Sequence, residues 1–304
     1  MLNVLPSVAT VFHSLQVSIA GIMDVSDIPQ FVTITFDDGI IPTVSQLVKP
    51  LTEIVDRNGC GIKTTFYTSI QGGGTTDCSL VRGLYKGQHE IATHTYNHIA
   101  MPGADEIIGA KNYLVNECGI PPEEIRGFRS PNLSYIQETL DSLNSLGFLY
   151  DSTIGPVDYL ESNYGRENIW PFTLDQANID EFMCSCDGLT SPNPGLWEIP
   201  MWPSWNSEDV RLTPTDYPMV HIQENFERTY NGNRAPLGIF LHASWLASNG
   251  AGLKNWIENI LTTYADVHFV TTSSLSGCAT HRPHHSISQH VKDRSVPAYL
   301  HRNL

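Results

Sequence analysis

The chain reads as an α/β protein whose parallel sheet closes into a barrel, and three observations predict this. Short apolar runs that suit strands fall near residues 31–36, 64–69, 89–93, 126–129, 147–151, 196–200, 237–242 and 267–271, and helical stretches separate several of them. Four of the runs end in acids, histidines or an arginine, at the end of a parallel barrel where functional side chains collect. The 304 residues are 41% apolar with no break in composition, enough for one large core and one domain.

The first run, Phe31 to Phe36, alternates, with Phe31, Thr33 and Thr35 on one face and Val32, Ile34 and Phe36 on the other. It delivers Asp37 and Asp38 into Gly39, so two carboxylates leave the strand end in different directions. An Asp-Gly turn accounts for this segment without chemistry equally well. The run from Glu90 ends on His94 and His98, spaced so that both imidazoles face one side of a helical turn and can grip one metal ion. That spacing is weak alone, because 12 histidines in this length give about half a chance occurrence. His281 and His285 repeat it in a polar tail with no strand leading in, where it reads as solvated. The run from Ile125 places Arg129 just before Pro131, which stops the strand. The run from Pro236 ends on His242, a position where a lone histidine is more often structural than chemical. Helices are expected over Ser134–Leu146, ended by Gly147, and Tyr217–Tyr230, ended near Gly232.

Taken in order, Thr35-Phe-Asp-Asp-Gly39, His94-Thr-Tyr-Asn-His98, Arg129-Ser-Pro-Asn132 and Phe240-Leu-His242 resemble the motifs of the polysaccharide deacetylases of carbohydrate esterase family 4, the NodB homology family. The likeness runs from about Phe31 to Thr272. Intervening text such as Tyr150-Asp-Ser152, Trp170-Pro-Phe-Thr-Leu174 and Gly195-Leu-Trp-Glu-Ile-Pro200 is similar to the animal chitin deacetylases. The resemblance implies a distorted (β/α) barrel of about seven strands and a metal-dependent hydrolase that removes acetyl groups from chitin or a related acetylated glycan. It implies Asp38, His94 and His98 as ligands of zinc, with cobalt or manganese as other divalent ions the site would take. The donor set agrees: two imidazoles and a carboxylate suit a borderline-soft ion that activates water and polarises an amide carbonyl. Asp37 is implied as general base, Arg129 as its tether, His242 as general acid, and the backbone N–H of Asn132 as oxyanion donor. A protonated His242 needs an acid beside it, for which Asp151 and Glu198 are the candidates.

Two departures stand out. Asn132 takes the place of the family's usual aromatic residue, which removes a wall of the acetyl pocket, and Gly39 matches the wider family where the closest animal relatives often carry alanine. A net charge of −15 argues against nucleic acid and anionic membrane surfaces as partners. It suits a neutral glycan whose product is cationic, although acidity also serves solubility. No apolar run is long enough for a membrane helix.

The stretch from Gly155 to Ser207, with its Pro, Trp and Cys residues, reads as a long loop region beside the cleft. Trp197 is expected in the core, and Trp202 and Trp205 are candidates for stacking on sugar rings. Six cysteines (Cys60, Cys78, Cys118, Cys184, Cys186 and Cys278) point to up to three disulfides and an extracellular, secreted protein. Residues 1–28 read as an extension with no clean signal segment, 29–278 as the catalytic domain, and 279–304 as a polar, His-rich disordered tail. A monomer is expected. Two other functions stay open: a silent chitin-binding relative, and a glycosidase that pairs Asp37 with another acid and leaves the histidines without a role. An acetyl ester such as acetyl-xylan is a further substrate for the same site.

Overall fold

β1 (Gln30–Asp37) is the strand on which the architecture turns, because its two faces differ. Val32, Ile34 and Phe36 are buried against helices Pro42–Thr52 and Leu246–Thr263, alongside Val48, Leu51, Leu253, Ile257 and Ile260. Thr33, Thr35 and Asp37 face the other way, into the curl of the sheet. The computed structural model describes residues 25–72, 74–155, 168–175, 189–208 and 211–279.

The strands after β1 are β2 (Thr65–Thr68), β3 (Glu90–Thr93), β4 (Gly127–Phe128), β5 (Tyr150–Asp151), β6 (Phe172–Thr173), β7 (Trp197–Glu198), β8 (Ser204–Trp205), β9 (Arg211–Leu212), β10 (Leu237–His242) and β11 (Val267–Phe269). One sheet of nine strands runs β10, β1, β2, β3, β4, β5, β7, β6, with β11 also paired to β1. Its pairs are parallel except β6 with β7. All eight expected runs form strands of this sheet; the ninth is β6. β8 and β9 make a separate hairpin.

The sheet curls into a half-barrel, and among the described residues no ladder joins β6 to β10. The free edge of β10 instead meets one residue of an incoming segment, Thr215, through a single parallel bridge to Phe240, and Asp216 N–H donates to the Phe240 carbonyl at 3.0 Å. Among the described residues the barrel read from the alternation is thus a half-barrel. An inner cluster of Tyr67, Ala92, Tyr150, Ile199, Met201, Trp202 and Phe240 fills the curl.

The helix expected from Ser134 begins at Gln137 and ends at Ser145, because residues 131–133 form a 3-10 turn and Ser134 is extended. Gly147 follows in the left-handed conformation, φ 71°, that ends a helix at low cost. The helix expected over Tyr217–Tyr230 starts as a 3-10 turn, Met219–His221, and continues as Ile222–Asn231 up to Gly232.

Trp202 and Trp205 do not line a groove. They are 2% and 5% exposed; Trp202 stacks on Phe240 and its indole N–H donates to the Ile169 carbonyl. Large aromatic area was worth more in the core than on the rim. Trp197, expected in the core, is half-buried against the inner cluster. The described part of the 155–207 stretch contains β6, β7 and β8, so it is partly sheet.

Cys78 and Cys118 form a disulfide that ties the start of helix Cys78–Lys86 to the end of helix Ala104–Asn116, and Cys60 is exposed and free. Cys184, Cys186, His281 and His285 lie outside the described residues, as do most of the expected N-terminal extension and the polar tail. Among the described residues no helix is long and apolar enough to cross a membrane.

Candidate metal centre and active site

Sequence-distant residues meet here because parallel register brings strand ends together. Asp37 lies opposite His242 in the β1–β10 ladder and opposite Tyr67 in the β1–β2 ladder. One step beyond β3 and β4, His94 N–H donates to the Thr68 carbonyl and Arg129 N–H to the Thr93 carbonyl, extending the same ladders. Asp37, His94, Arg129 and His242 thus share one rim of the half-barrel.

Asp38, His94 and His98 offer ligand atoms that all lie within 4.8 Å of one another. The His94 ring donates from Nδ1 to the Arg129 carbonyl at 2.7 Å, since a carbonyl can only accept, and this leaves Nε2 with its lone pair toward the cluster. Burial pushes His94 below the usual imidazole range and favours the neutral ring that a ligand requires. His98 Nε2 faces Asp38 Oδ1 at 3.1 Å. That Asp38 oxygen is buried and receives no hydrogen bond. A carboxylate oxygen without a donor, set beside two imidazole nitrogens, fits a divalent cation; oxygen and nitrogen donors of this kind suit zinc and its neighbours.

The backbone is bent to make the cluster. Asp38 (φ 82°), Thr95 (φ 66°) and His98 (φ 59°) adopt the left-handed region that non-glycine residues enter at a cost. The turn 70–76 holds them there. Gly39 N–H donates to the Gly72 carbonyl at 3.2 Å, Gln71 N–H donates to the Tyr96 carbonyl at 2.8 Å, and a Cβ on Gly72 would lie 2.3 Å from His98 Cβ. Only glycine lets this turn wedge between both ligand-bearing loops.

Arg129 is fully buried and makes four side-chain hydrogen bonds. Its Nη1 donates to Asp37 Oδ1 at 2.7 Å and to Thr35 Oγ1 at 2.9 Å, and its Nε and Nη2 donate to the carbonyl and hydroxyl of Ser152. The guanidinium also lies 3.9 Å from the Tyr67 ring centre. One Asp37 oxygen is thereby fixed. Asn132 is exposed with φ 56°, a backbone that asparagine adopts far more readily than an aromatic residue does.

His242 is not oriented by Asp151 or Glu198. Its Nδ1 donates to Asp216 Oδ2 at 2.5 Å and its backbone N–H to Asp216 Oδ1 at 2.8 Å. The hydrogen bond to Asp216, against opposing burial, lifts His242 to about 9. Asp151 and Glu198 are buried on the β5–β7 ladder, with Thr153 and the Ile154 N–H as their partners. Asp216 went unnoticed in the sequence because it sits in Thr213-Pro-Thr-Asp-Tyr-Pro218, which belongs to no apolar run. The close approach of Gly72 to His98 is another contact that no local pattern in the sequence signals.

A family model described as polysaccharide deacetylase matches residues 25–150, a span that holds Asp37, Asp38, His94, His98 and Arg129 and stops before His242. Chitin deacetylase 8 of Bombyx mori is 32% identical over 286 residues, aligning 85% of this chain with 72% of that protein. Chitin deacetylase 1 of Bombyx mori is 27% identical and aligns with 84% of this chain, which spans about half (52%) of its length. A crystal structure from Mycobacterium smegmatis described as a polysaccharide deacetylase superposes with a TM-score of 0.52 at 16% identity, covering 91% of this chain and 96% of that one, so the fold is shared. The chain belongs to the polysaccharide deacetylase family.

Proposed function

We propose that this protein hydrolyses N-acetyl groups of chitin or chitin oligomers with a divalent metal, releasing acetate. The observation that carries the reading is the meeting, at one rim, of a three-ligand cluster with two further proton-transfer groups, each held by its own charged partner. A divalent ion held by Asp38, His94 and His98 would polarise the acetyl carbonyl and make water more acidic.

The protein side follows from the hydrogen bonds. Asp37 has one oxygen fixed by Arg129 and uses the other to take a proton from the attacking water. His242 carries its proton on the ring edge away from Asp216 and gives it to the leaving amine. The Asn132 backbone N–H is the donor that the family resemblance assigns to the developing negative charge. Chitin as substrate is supported by the two silkworm relatives, whose names specify it. Zinc is supported by the donor set, and an extracellular location by the Cys78–Cys118 bridge. The domain is read as 29–278 and as a monomer.

The test is acetate release from chitin oligomers and from acetyl-xylan by the purified chain, as isolated, after chelation and with zinc restored, beside Asp37→Asn. Chelator-sensitive release from chitin oligomers that zinc rescues and the variant lacks is expected. Release from acetyl-xylan alone would make it an esterase. Zinc and chitin binding without any release would make it a silent binding relative.

A further inference from the structure

Asp151 and Glu198 take no part in the chemistry above, yet they are two acids buried together. They are direct partners across the parallel β5–β7 ladder, so their side chains leave one face of the sheet about 4.8 Å apart. Both are 0% exposed. Each commits one oxygen to its surroundings: Asp151 Oδ1 accepts from the Thr153 hydroxyl at 2.6 Å, and Glu198 Oε1 accepts from the Ile154 N–H at 3.1 Å. The other two oxygens, Asp151 Oδ2 and Glu198 Oε2, are buried without a donor. Two buried carboxylates side by side repel, whereas one proton between them makes a short charge-assisted hydrogen bond and satisfies both orphan oxygens. Burial raises both carboxyls, the direction in which a proton held by the pair is retained. The full positive charge that acts on Glu198 is Arg129, already paired with Asp37.

The hydrogen bonds continue from this pair to the reacting rim. Thr153 Oγ1, which donates to Asp151, accepts from the Ser130 N–H at 2.8 Å. Ser130 follows Arg129, whose carbonyl holds His94 and whose guanidinium holds Asp37. Ser152, next to Asp151, takes two more of the Arg129 donors. A continuous chain from β7 through β5 to the Arg129 turn therefore closes only when the pair holds one proton.

We propose that Asp151 and Glu198 share a single proton and act as positioning residues, locking the Arg129–Ser130 turn and with it the Arg129–Asp37 ion pair and His94. The kinetic consequence rests on the deacetylase reading; the shared proton rests on the geometry of the pair. Because the folded state binds a proton that the unfolded chain releases above the ordinary glutamate range, stability from this pair falls as pH rises above about 4.3. Arg129 and the two acids are the charged groups that face it; Thr153, Ser130 and the Ile154 amide do not titrate.

The experiment compares the full chain with Glu198→Gln and Glu198→Ala. The glutamine amide can donate to Asp151 and accept from Ile154 without a titrating proton; alanine breaks the chain. The infrared spectrum of the native protein near neutral pH is expected to show a protonated-carboxyl band that the Gln variant lacks. Its melting temperature is expected to fall more steeply than that of the Gln variant between roughly pH 5 and 9. The Gln variant is expected to keep kcat within about threefold, while the Ala variant loses about tenfold or more in kcat with little change in KM, and loses zinc affinity by calorimetry. Absence of the band, or equal pH slopes, would overturn the shared proton. Native-like kcat and zinc affinity in the Ala variant would overturn the positioning role; if that variant does not fold, a Gln variant as impaired in kcat as Asp37→Asn does so. If the native protein releases no acetate, the deacetylase reading fails on its own, and the band, the pH slope and zinc affinity still decide this inference.

Discussion

Replacing Asp216 with asparagine separates a catalytic histidine from a structural one. The Asp216 carboxylate accepts from both Nδ1 and the backbone N–H of His242 and lifts the imidazole to about 9. Asparagine has the same shape and keeps an acceptor, but it removes the charge, so the ring falls toward its ordinary value of about 6.5. The His242 side chain is 40% exposed and water screens part of the effect, so a displacement of about one to two pH units is expected. A proton donor works only when protonated. The alkaline limb of kcat therefore moves to lower pH by that amount, and at pH 8 the variant retains roughly two- to tenfold less of the active form, while near pH 6 the two enzymes differ little. Acetate release from chitin oligomers at saturating substrate, over roughly pH 5 to 10, measures this directly. An unchanged alkaline limb in a variant that melts normally would refute the role of His242. The ion pair also acts on stability with a definite sign. Its contribution is complete below about 6.5 and is lost as pH rises through about 9, so the variant is expected to melt lower at neutral pH and close to native in strong alkali.

Two further outcomes follow from the packing. Arg129→Met leaves Asp37, 7% exposed, as an unpaired buried carboxylate and is expected to destabilise the fold by about 3–5 kcal/mol in urea titrations; a loss below about 1 kcal/mol would show that the pair is solvated. Gly72→Ala forces a carbon to within 2.3 Å of His98 Cβ and 2.8 Å of Ser69 Oγ, and is expected to weaken zinc binding by about tenfold or more in calorimetry, whereas unchanged affinity would remove His98 from the ligand set.

The strands and the strand-end acids and histidines were legible for one reason: apolar alternation and strand-end residues are local signals. β1 could be read from Phe31 to Asp37, including which residues face together, because side chains alternate with period two whatever the strand pairs with. The His94–His98 spacing gained meaning only from the strand before it. Trp202 and Trp205 misled because an aromatic residue in a Pro-rich stretch looks the same whether its neighbours bury it or not, and the inner cluster that buries Trp202 draws on β2, β3, β5 and β10. Asp151 and Glu198 were recognised as notable acids and given the wrong neighbour. They lie opposite each other instead, placed so by the β5–β7 register.

By itself, then, the sequence determined the parallel α/β character and marked the acids, histidines and arginine at the strand ends, since these depend on periodicity and side-chain chemistry within a few positions. Only the tertiary structure decided that Asp216 enters along the edge of β10 to charge His242. It alone packed Gly72 against His98 and set Glu198 beside Asp151. Those contacts join residues tens of positions apart through strand register and loop closure, and no local pattern encodes the register of strands that meet only after the chain has folded.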